Sequence, residues 1–298
     1  MLPLAAYRSL VHLDEPFVQP PRAPLQDSLP LVNRLLTQLL EQDGRSTRIP
    51  RGITPRQALY AALISRPPLP LRPGILEELD ALLAAEASAR GAVVADELPR
   101  CDTWAGREDI VTRSCALFRG DITLLKVDAI VNAANSAMLG CFQPFHSCID
   151  NCIHAAAGPR LRADCQRLMD LQGCAEAPGG AKLTRAYHLP ARYILHTVGP
   201  IFSGSRSDVP LAESELLASC YRACLDLAAI LPSIRSLAFC CVSTGVFGFP
   251  AQAAAGIAIQ TVSRWVKEHP GRFELLVFDV FSEQDENIYR SLLNRSEA

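Results

Sequence analysis

The sequence predicts an α/β fold, in which a central, largely parallel β-sheet lies between layers of helices, behind a helical N-terminal extension. From about Val111 onward, short β-rich runs alternate with segments of helical periodicity, a pattern typical of α/β sheets. The first hundred residues differ, because they hold most of the prolines and no cysteine, whereas all eleven cysteines lie from Cys101 to Cys241. We therefore expect an extension over residues 1–105 and an α/β domain over residues 106–298.

Three helices are predicted in the extension, with proline clusters between them. They cover residues 28–42, residues 55–64 after the capping residue Thr54, and residues 75–89. Leucines on one face of the third helix require a surface to cover. We interpret the extension as a lid or brace packed on the α/β domain, with a partner-binding module as the alternative.

The α/β domain contains six predicted strands and five predicted helices. The strands are CALFRG, DAIVNAAN, AKLTRAY, RYILHTVG, SLAFCCVS and ELLVFDV. The helices cover residues 149–156, 164–171, 212–231, 251–269 and 283–293. Sheets of this type bind ligands at the carboxyl ends of their strands, so the loops that follow the strands are the places to search for a site.

Composition excludes some classes of function. A formal net charge of −2 gives no electrostatic attraction to polyphosphate backbones, which argues against nucleic-acid binding. The N-terminal run has no basic segment and includes Asp14 and Glu15, unlike a secretory signal. No apolar stretch has the length of about 18 residues that a membrane helix needs. We expect a soluble, cytoplasmic protein with reduced cysteines and no membrane partner.

Two loops at strand ends carry polar side chains suited to a small ligand. Asp121 follows Gly120 in GDIT, where its carboxylate could accept hydrogen bonds from an amine or a hydroxyl. Asn132 and Asn135 flank two alanines in VNAAN, where amides could bind sugar hydroxyls. Ordinary turns are the alternative for both segments.

The segment CFQPFHSC places Cys141, His146 and Cys148 within eight residues. Thiolate and imidazole are preferred zinc ligands, and three protein ligands leave a fourth position for water or substrate. The alternatives are two core cysteines that happen to lie near a histidine, or a nucleophilic pair of cysteine and histidine.

Asp150 follows this segment directly. Its spacing from Ser147 predicts a capping box at the start of a helix, in which case it would be an ordinary first-turn acid. Its position beside the predicted metal ligands allows another role, the orientation or deprotonation of an attacking water. His154, one turn later, is interpreted as a packed helix residue.

Two further segments could contact a nucleotide. The glycine-bearing loop STGVFGFP joins a strand to a helix, so its amides and the helix N-terminus could bind a phosphate, although an ordinary loop is the alternative. Phe281 ends the last strand, where an aromatic ring could stack on a purine or pack in the core.

Together these segments resemble the macrodomain family from about Leu117 to Leu293. The resemblance is carried by GDIT, DAIVNAAN, CIDNCIHAAAGP, GGAKLTRAYHLPARYILHTVGPIF and STGVFGFP. Ordinary hydrolytic macrodomains have a glycine-rich loop where this chain has CFQPFHSC. That difference is similar to the zinc-dependent subgroup, whose members also carry a helical N-terminal extension. The resemblance implies a three-layer α/β/α sandwich with a mixed sheet.

The resemblance also implies a role for each site residue. Asp121 and Ile122 would hold the adenine, with Phe281 stacking on it or near it. Asn135 would contact the distal ribose, and Asp150 would be the acid near the scissile bond. One Zn²⁺ would be bound by Cys141, His146 and Cys148. The diphosphate would be wrapped by one loop, which consists of Ser243, Thr244, Gly245, Val246, Phe247 and Gly248.

These roles predict a zinc-dependent hydrolase that removes ADP-ribose from mono-ADP-ribosylated proteins, with Asp150 and Asn135 as its catalytic residues. Three alternatives stay open: a non-catalytic reader of ADP-ribose, a deacetylase of O-acetyl-ADP-ribose, and a structural zinc domain that assembles through its N-terminal helices. The expected partners are ADP-ribose, its modified protein substrates and, through the extension, another protein.

Overall fold

The computed structural model describes residues 2–25, 28–46, 51–106, 108–205 and 209–294. The three predicted helices of the extension are present, preceded by a short first helix that the sequence did not reveal. In chain order they are α1 (Leu4–Tyr7), α2 (Ser28–Gln42), α3 (Pro55–Ser65) and α4 (Pro73–Arg90). Thr54 and Gln57 form a reciprocal capping box at the start of α3, which is why that helix begins where it was predicted.

The helices α2, α3 and α4 bury an apolar cluster of their own. Its centre consists of Val32, Leu35, Leu36, Leu39, Leu40, Leu59, Ala62, Ile75, Leu79, Leu82 and Leu83. The residues before α2 pack instead into the main core, where the hydroxyl of Tyr7 accepts a hydrogen bond of 3.0 Å from the amide of Leu183. The boundary between residues 105 and 106 stays a prediction.

The rest of the chain alternates strands with helices, as the sequence predicted. The elements after α4 are β1 (Val93–Val94), α5 (Ile110–Ser114), β2 (Cys115–Arg119), β3 (Leu125–Lys126), β4 (Ala129–Ala134), α6 (Ile149–Ala157), α7 (Pro159–Gln172), β5 (Ala181–Arg185), β6 (Tyr193–Val198), α8 (Leu211–Ala229), β7 (Ser236–Phe239), α9 (Ala251–Glu268), β8 (Leu275–Val280) and α10 (Glu283–Leu293).

Six of these strands form the central sheet, in the order β2-β8-β7-β4-β6-β5. All neighbouring pairs are parallel except β5 and β6, which are antiparallel. The two short strands β1 and β3 pair separately. The fold is therefore the three-layer sandwich with a mixed sheet that was expected, and the carboxyl ends of five parallel strands lie at one edge.

One helix begins earlier than predicted. α7 begins at Pro159 rather than at residue 164, because Gly158, with φ 88°, ends α6 and Pro159 occupies the first turn of the next helix. A Cβ on Gly158 would lie 2.7 Å from a methyl of Leu83 in α4, so the extension packs directly against this turn. None of the described helices has the length and apolar character needed to cross a membrane.

Candidate active site

The sheet order brings the predicted site residues to one edge. β2, β8, β7 and β4 are neighbours and run parallel, so the loops after them lie side by side. Asp121 follows β2, Phe281 follows β8, the loop from Ser243 follows β7, and Asn135 follows β4. Three strand spacings of about 4.8 Å separate β2 from β4, so these loops extend along roughly 14 Å.

At the β2 end of this row of loops, Asp121 begins a turn and Phe281 projects outward. One carboxylate oxygen of Asp121 accepts hydrogen bonds from the amide (2.9 Å) and hydroxyl (2.7 Å) of Thr123. The side chain of Ile122 is buried, so its backbone is the part that can face a ligand. Phe281 is 83% exposed, which rules out the alternative of a core aromatic and leaves its ring available for stacking.

Asp279 lies in β8 close to Asp121 and is almost fully buried. Burial, and secondarily the charge of Asp121, raises the pKa of the Asp279 carboxyl from 3.8 to about 9. Asp279 is therefore protonated at neutral pH.

This shift predicts a pH-dependent stability. Between pH 4 and 9 the folded protein holds a proton on Asp279 that the unfolded chain releases, so the free energy of unfolding falls as the pH rises. The slope from this group is at most about 1.4 kcal/mol per pH unit. Urea unfolding measured from pH 5 to 9 should therefore show a smaller decrease in the free energy of unfolding for Asp279→Asn than for wild type. Parallel curves for the two proteins would contradict the assignment.

The loop after β7 is closed on itself. The carbonyl of Ser243 accepts from the amide of Phe249, and the carbonyl of Gly245 accepts from that of Gly248, both at 3.0 Å. Within the described ranges, the amides of residues 245, 246 and 247 have no hydrogen-bond acceptor. Helix α9 begins directly after this loop. Free amides and a helix N-terminus together form an anion-binding geometry.

Gly199 fixes the other side of this loop. Ser243 has a left-handed φ of 67°, and its hydroxyl packs on Gly199, where an added Cβ would lie 2.0 Å from the serine oxygen. Only glycine leaves room for that contact, which is a requirement that the sequence pattern alone did not reveal.

The side chain of Asn135 makes hydrogen bonds to other residues of the protein. Its side-chain amide donates to the carbonyl of Gly140 at 2.9 Å and to Asp150 at 3.4 Å. Its oxygen accepts from the amides of Ala137 and Met138. Asn135 thus holds the start of the CFQPFHSC loop as well as reaching the carboxylate of Asp150.

The three predicted metal ligands lie together. One ligand atom each from Cys141, His146 and Cys148 falls within 4.8 Å of the others, and the Cys141 sulfur lies 3.3 Å from Nδ1 of His146. Both cysteines are partly exposed rather than buried in the core, which argues against the core-cysteine alternative. Burial raises the pKa of the Cys148 thiol to about 11. A bound cation would favour the thiolate, as metal binding requires.

Asp150 does not cap its helix, so the predicted capping box is wrong. The residue before α6 is Cys148 rather than Ser147, and no side chain caps this helix. The Asp150 carboxylate points into the protein and accepts a hydrogen bond of 2.8 Å from the side-chain amide of Asn132. Burial raises the pKa of Asp150 to about 6, opposed by the Asn132 hydrogen bond and by the charge of Arg162.

The VNAAN pattern predicted that the amide of Asn132 could bind sugar hydroxyls, but in the structure this amide donates to Asp150 instead. Asn132 is fully buried in β4, and the amide that donates to Asp150 also donates to Nδ1 of His196 at 3.1 Å. Burial lowers the pKa of His196 to about 3, so the ring is neutral, and its Nε2 donates to the hydroxyl of Thr184 at 2.9 Å. A chain of hydrogen bonds from Thr184 through His196 and Asn132 thus fixes the orientation of the Asp150 carboxylate. His154 is buried beside it, as expected for a packed helix residue.

The fold is an α/β domain with its candidate site residues at the carboxyl ends of parallel strands, and comparison with known proteins identifies its family. The Macro domain model matches residues 131–258. A protein-ADP-ribose hydrolase of Treponema medium is 54% identical over 178 residues, which cover 60% of this chain and 66% of that protein. A protein of the same name from Staphylococcus aureus is 50% identical over 179 residues, with the same two coverages.

A solved structure gives the same result. A Trypanosoma brucei macrodomain in complex with ADP-ribose is 32% identical, with a TM-score of 0.58, and the match covers 78% of this chain and 94% of that chain. The chain therefore belongs to the macrodomain family. It matches just under two thirds of the length of the two hydrolases.

Proposed function

We propose that this protein is a zinc-dependent hydrolase that removes ADP-ribose from mono-ADP-ribosylated proteins. The observation that carries the proposal is the convergence of Cys141, His146 and Cys148 on one loop directly before Asp150. A non-catalytic reader needs neither a metal site nor an oriented acid. The names of the two bacterial relatives and the ADP-ribose in the trypanosome structure support the substrate class.

The donor set fits zinc. Two thiols and an imidazole on a partly exposed loop match the ligands and the open coordination of catalytic zinc sites. When bound, Zn²⁺ would supply Lewis acidity, which polarises an oxygen of the distal ribose or of water. All three protein ligands would be held by the loop that Asn135 joins to the end of β4.

The chain's own residues would perform the rest of the reaction. Asp150, held by Asn132 and Asn135, would orient a water molecule toward the anomeric carbon of the distal ribose and accept its proton. The water oxygen bonds to that carbon, the bond to the protein side chain breaks, and the departing side chain takes up a proton. Free ADP-ribose and the unmodified protein are the products.

Binding energy would come from the far end of the ligand. The free amides of residues 245–247 would hold the diphosphate, and Asp121 with Phe281 would hold the adenine. Because these contacts lie away from the bond that breaks, they would fix the reacting end without changing during the reaction.

The test is release of ADP-ribose from a mono-ADP-ribosylated protein by the purified chain, with zinc content measured on the same sample. Release together with about one zinc per chain supports the proposal. Binding of ADP-ribose without release would leave a reader, and hydrolysis confined to O-acetyl-ADP-ribose would leave an esterase. Absence of ADP-ribose binding in calorimetry would favour a structural zinc domain.

Phe281 provides a separate test of ligand placement. We expect Phe281→Ala to weaken ADP-ribose binding by about tenfold, because stacking on a base contributes about 1–3 kcal/mol. The melting temperature should not change, since the ring is 83% exposed. Isothermal calorimetry with ADP-ribose measures the effect, and Val18→Ala, an apolar position of the extension that is 82% exposed and has no predicted role in binding, is the control for general surface change. Equal affinity of Phe281→Ala and wild type would place the adenine elsewhere.

A further inference from the structure

The loop that carries the three candidate ligands has a strained backbone. Phe142 and Phe145 both have left-handed φ values, 57° and 63°, although neither is glycine. This conformation costs a residue with a side chain about 1–2 kcal/mol. Such residues keep it only where their surroundings hold them, so the contacts of the two rings indicate what shapes the loop.

The ring of Phe142 lies beneath Arg162 of helix α7. The guanidinium carbon is 4.5 Å from the ring centroid, a cation–π contact. A Cβ built on Gly140 would lie 3.1 Å from Nη2 of the same arginine, so Arg162 also contacts the first turn of the loop. Arg162 is almost fully buried, and this charged group therefore needs strong partners.

Those partners belong to the N-terminal extension. Nη1 of Arg162 donates to the carbonyl oxygens of Leu63 and Ile64 at 3.0 Å and of Arg66 at 3.1 Å. These carbonyls lie at the carboxyl end of helix α3, where the helix dipole favours a positive charge. One guanidinium thus joins the end of α3 to the loop.

Phe145 has a contact with the same helix. Its ring stacks on that of Tyr60 in α3, with centroids 6.0 Å apart and planes inclined by 26°. Both strained residues of the loop are therefore supported from α3, one through Arg162 and one directly. From the α/β domain, Asn151 donates to the carbonyls of Gln143 and His146.

We propose that helix α3 of the extension supports the loop from Cys141 to Cys148, which carries the three candidate metal ligands. Arg162 is the positioning residue that joins the helix to this loop. The inference rests on the proposed zinc function and assigns a purpose to the extension. The described contacts of Arg162 are with the extension and with Phe142 and Gly140, the two neighbours of Cys141, so it acts on the metal ligands through these neighbours. Lysine cannot replace it, because an ammonium lacks the planar fork that stacks on a ring while donating to three carbonyls.

The test compares Arg162→Lys with a matched control, Arg160→Lys. Arg160 lies on the same helix and also binds the extension, through Asp80 at 2.6 Å, and its bonds are to Asp80 and not to the loop. Zinc retention is measured by competition with a chromogenic chelator. We expect Arg162→Lys to lose about 10–100-fold in zinc affinity, as observed when groups that orient ligands are replaced, and Arg160→Lys to match wild type. Equal retention in all three proteins overturns the inference.

A metal-free measurement separates this inference from the proposed function. After zinc removal, alkylation of Cys141 and Cys148 is followed by mass spectrometry, with the exposed Cys174 as internal reference. Faster alkylation of the loop cysteines in Arg162→Lys, with Cys174 unchanged, supports the inference even if wild type binds no zinc. Unchanged rates overturn it. If Arg162→Lys does not fold, Tyr60→Leu, which removes only the stacking on Phe145, is measured in the same two ways.

Discussion

Replacing Cys148 with alanine should remove zinc from the protein and stop the release of ADP-ribose. Two protein ligands cannot hold zinc as three do, so retention should fall by more than the roughly 100-fold that loss of an outer-shell partner can cause. ADP-ribose affinity should change little, because the diphosphate loop and the adenine end belong to other strand ends. Zinc content, calorimetry and product release on one preparation measure all three quantities.

Cys174→Ala is the matched control, since Cys174 is exposed and does not belong to the cluster. It should behave as wild type in every assay. Full product release by zinc-free Cys148→Ala would contradict a metal-dependent reaction and assign the chemistry to Asp150 alone. Asp150→Asn separates the two contributions, because it keeps an oxygen that accepts from Asn132 and should keep zinc, yet lose about 10²–10⁴-fold in rate.

The largest effect on stability is expected at a buried ion pair. Lys182 in β5 is completely buried, and its ammonium lies 2.7 Å from the carboxylate of Glu176, which is also buried. Glu176→Gln would leave the lysine charge without a counter-ion, which should cost about 3–5 kcal/mol in the free energy of unfolding. Urea denaturation at pH 7 measures the loss.

The double variant Glu176→Leu with Lys182→Met is the control for this pair. It removes both charges and keeps apolar volume, so most of the stability should return. A loss below about 1 kcal/mol in Glu176→Gln would contradict the dependence of the buried lysine on this counter-ion. Substrate binding should not change in either variant that remains folded, because neither residue belongs to the candidate site.

Much of the fold was predictable because its signals are local. The strand runs and helical spacing predicted every strand of the central sheet, and parallel strands necessarily place their following loops at one edge. Hence the sequence alone predicts that Asp121, Asn135, the Ser243 loop and Phe281 lie at one edge of the sheet. The apolar spacing does not show the early start of α7, because that start is set by Pro159, whose fixed φ suits the first turn of a helix.

The contacts that orient the site residues were harder to predict from the sequence. The capping box at Ser147 was wrong because the spacing alone does not show that Asp150 turns inward to Asn132. The role of Asn132 depends on the direction of one side chain in a strand that is almost entirely buried. Arg162 meets carbonyls almost 100 residues earlier in the chain, and no periodicity in the sequence encodes such a pairing.

The attachment of Tyr7 has a consequence for aggregation. Strand β5 lies at the edge of the sheet, where unpaired amides can recruit a strand from another molecule. The hydroxyl of Tyr7 accepts a hydrogen bond from the outward-facing amide of Leu183. The carbonyl of Leu13 accepts one from the hydroxyl of Tyr193 on the next strand. The first residues of the chain therefore cover part of an open sheet edge, so trimming the protein to its α/β domain would expose an amide of β5 to intermolecular β-pairing.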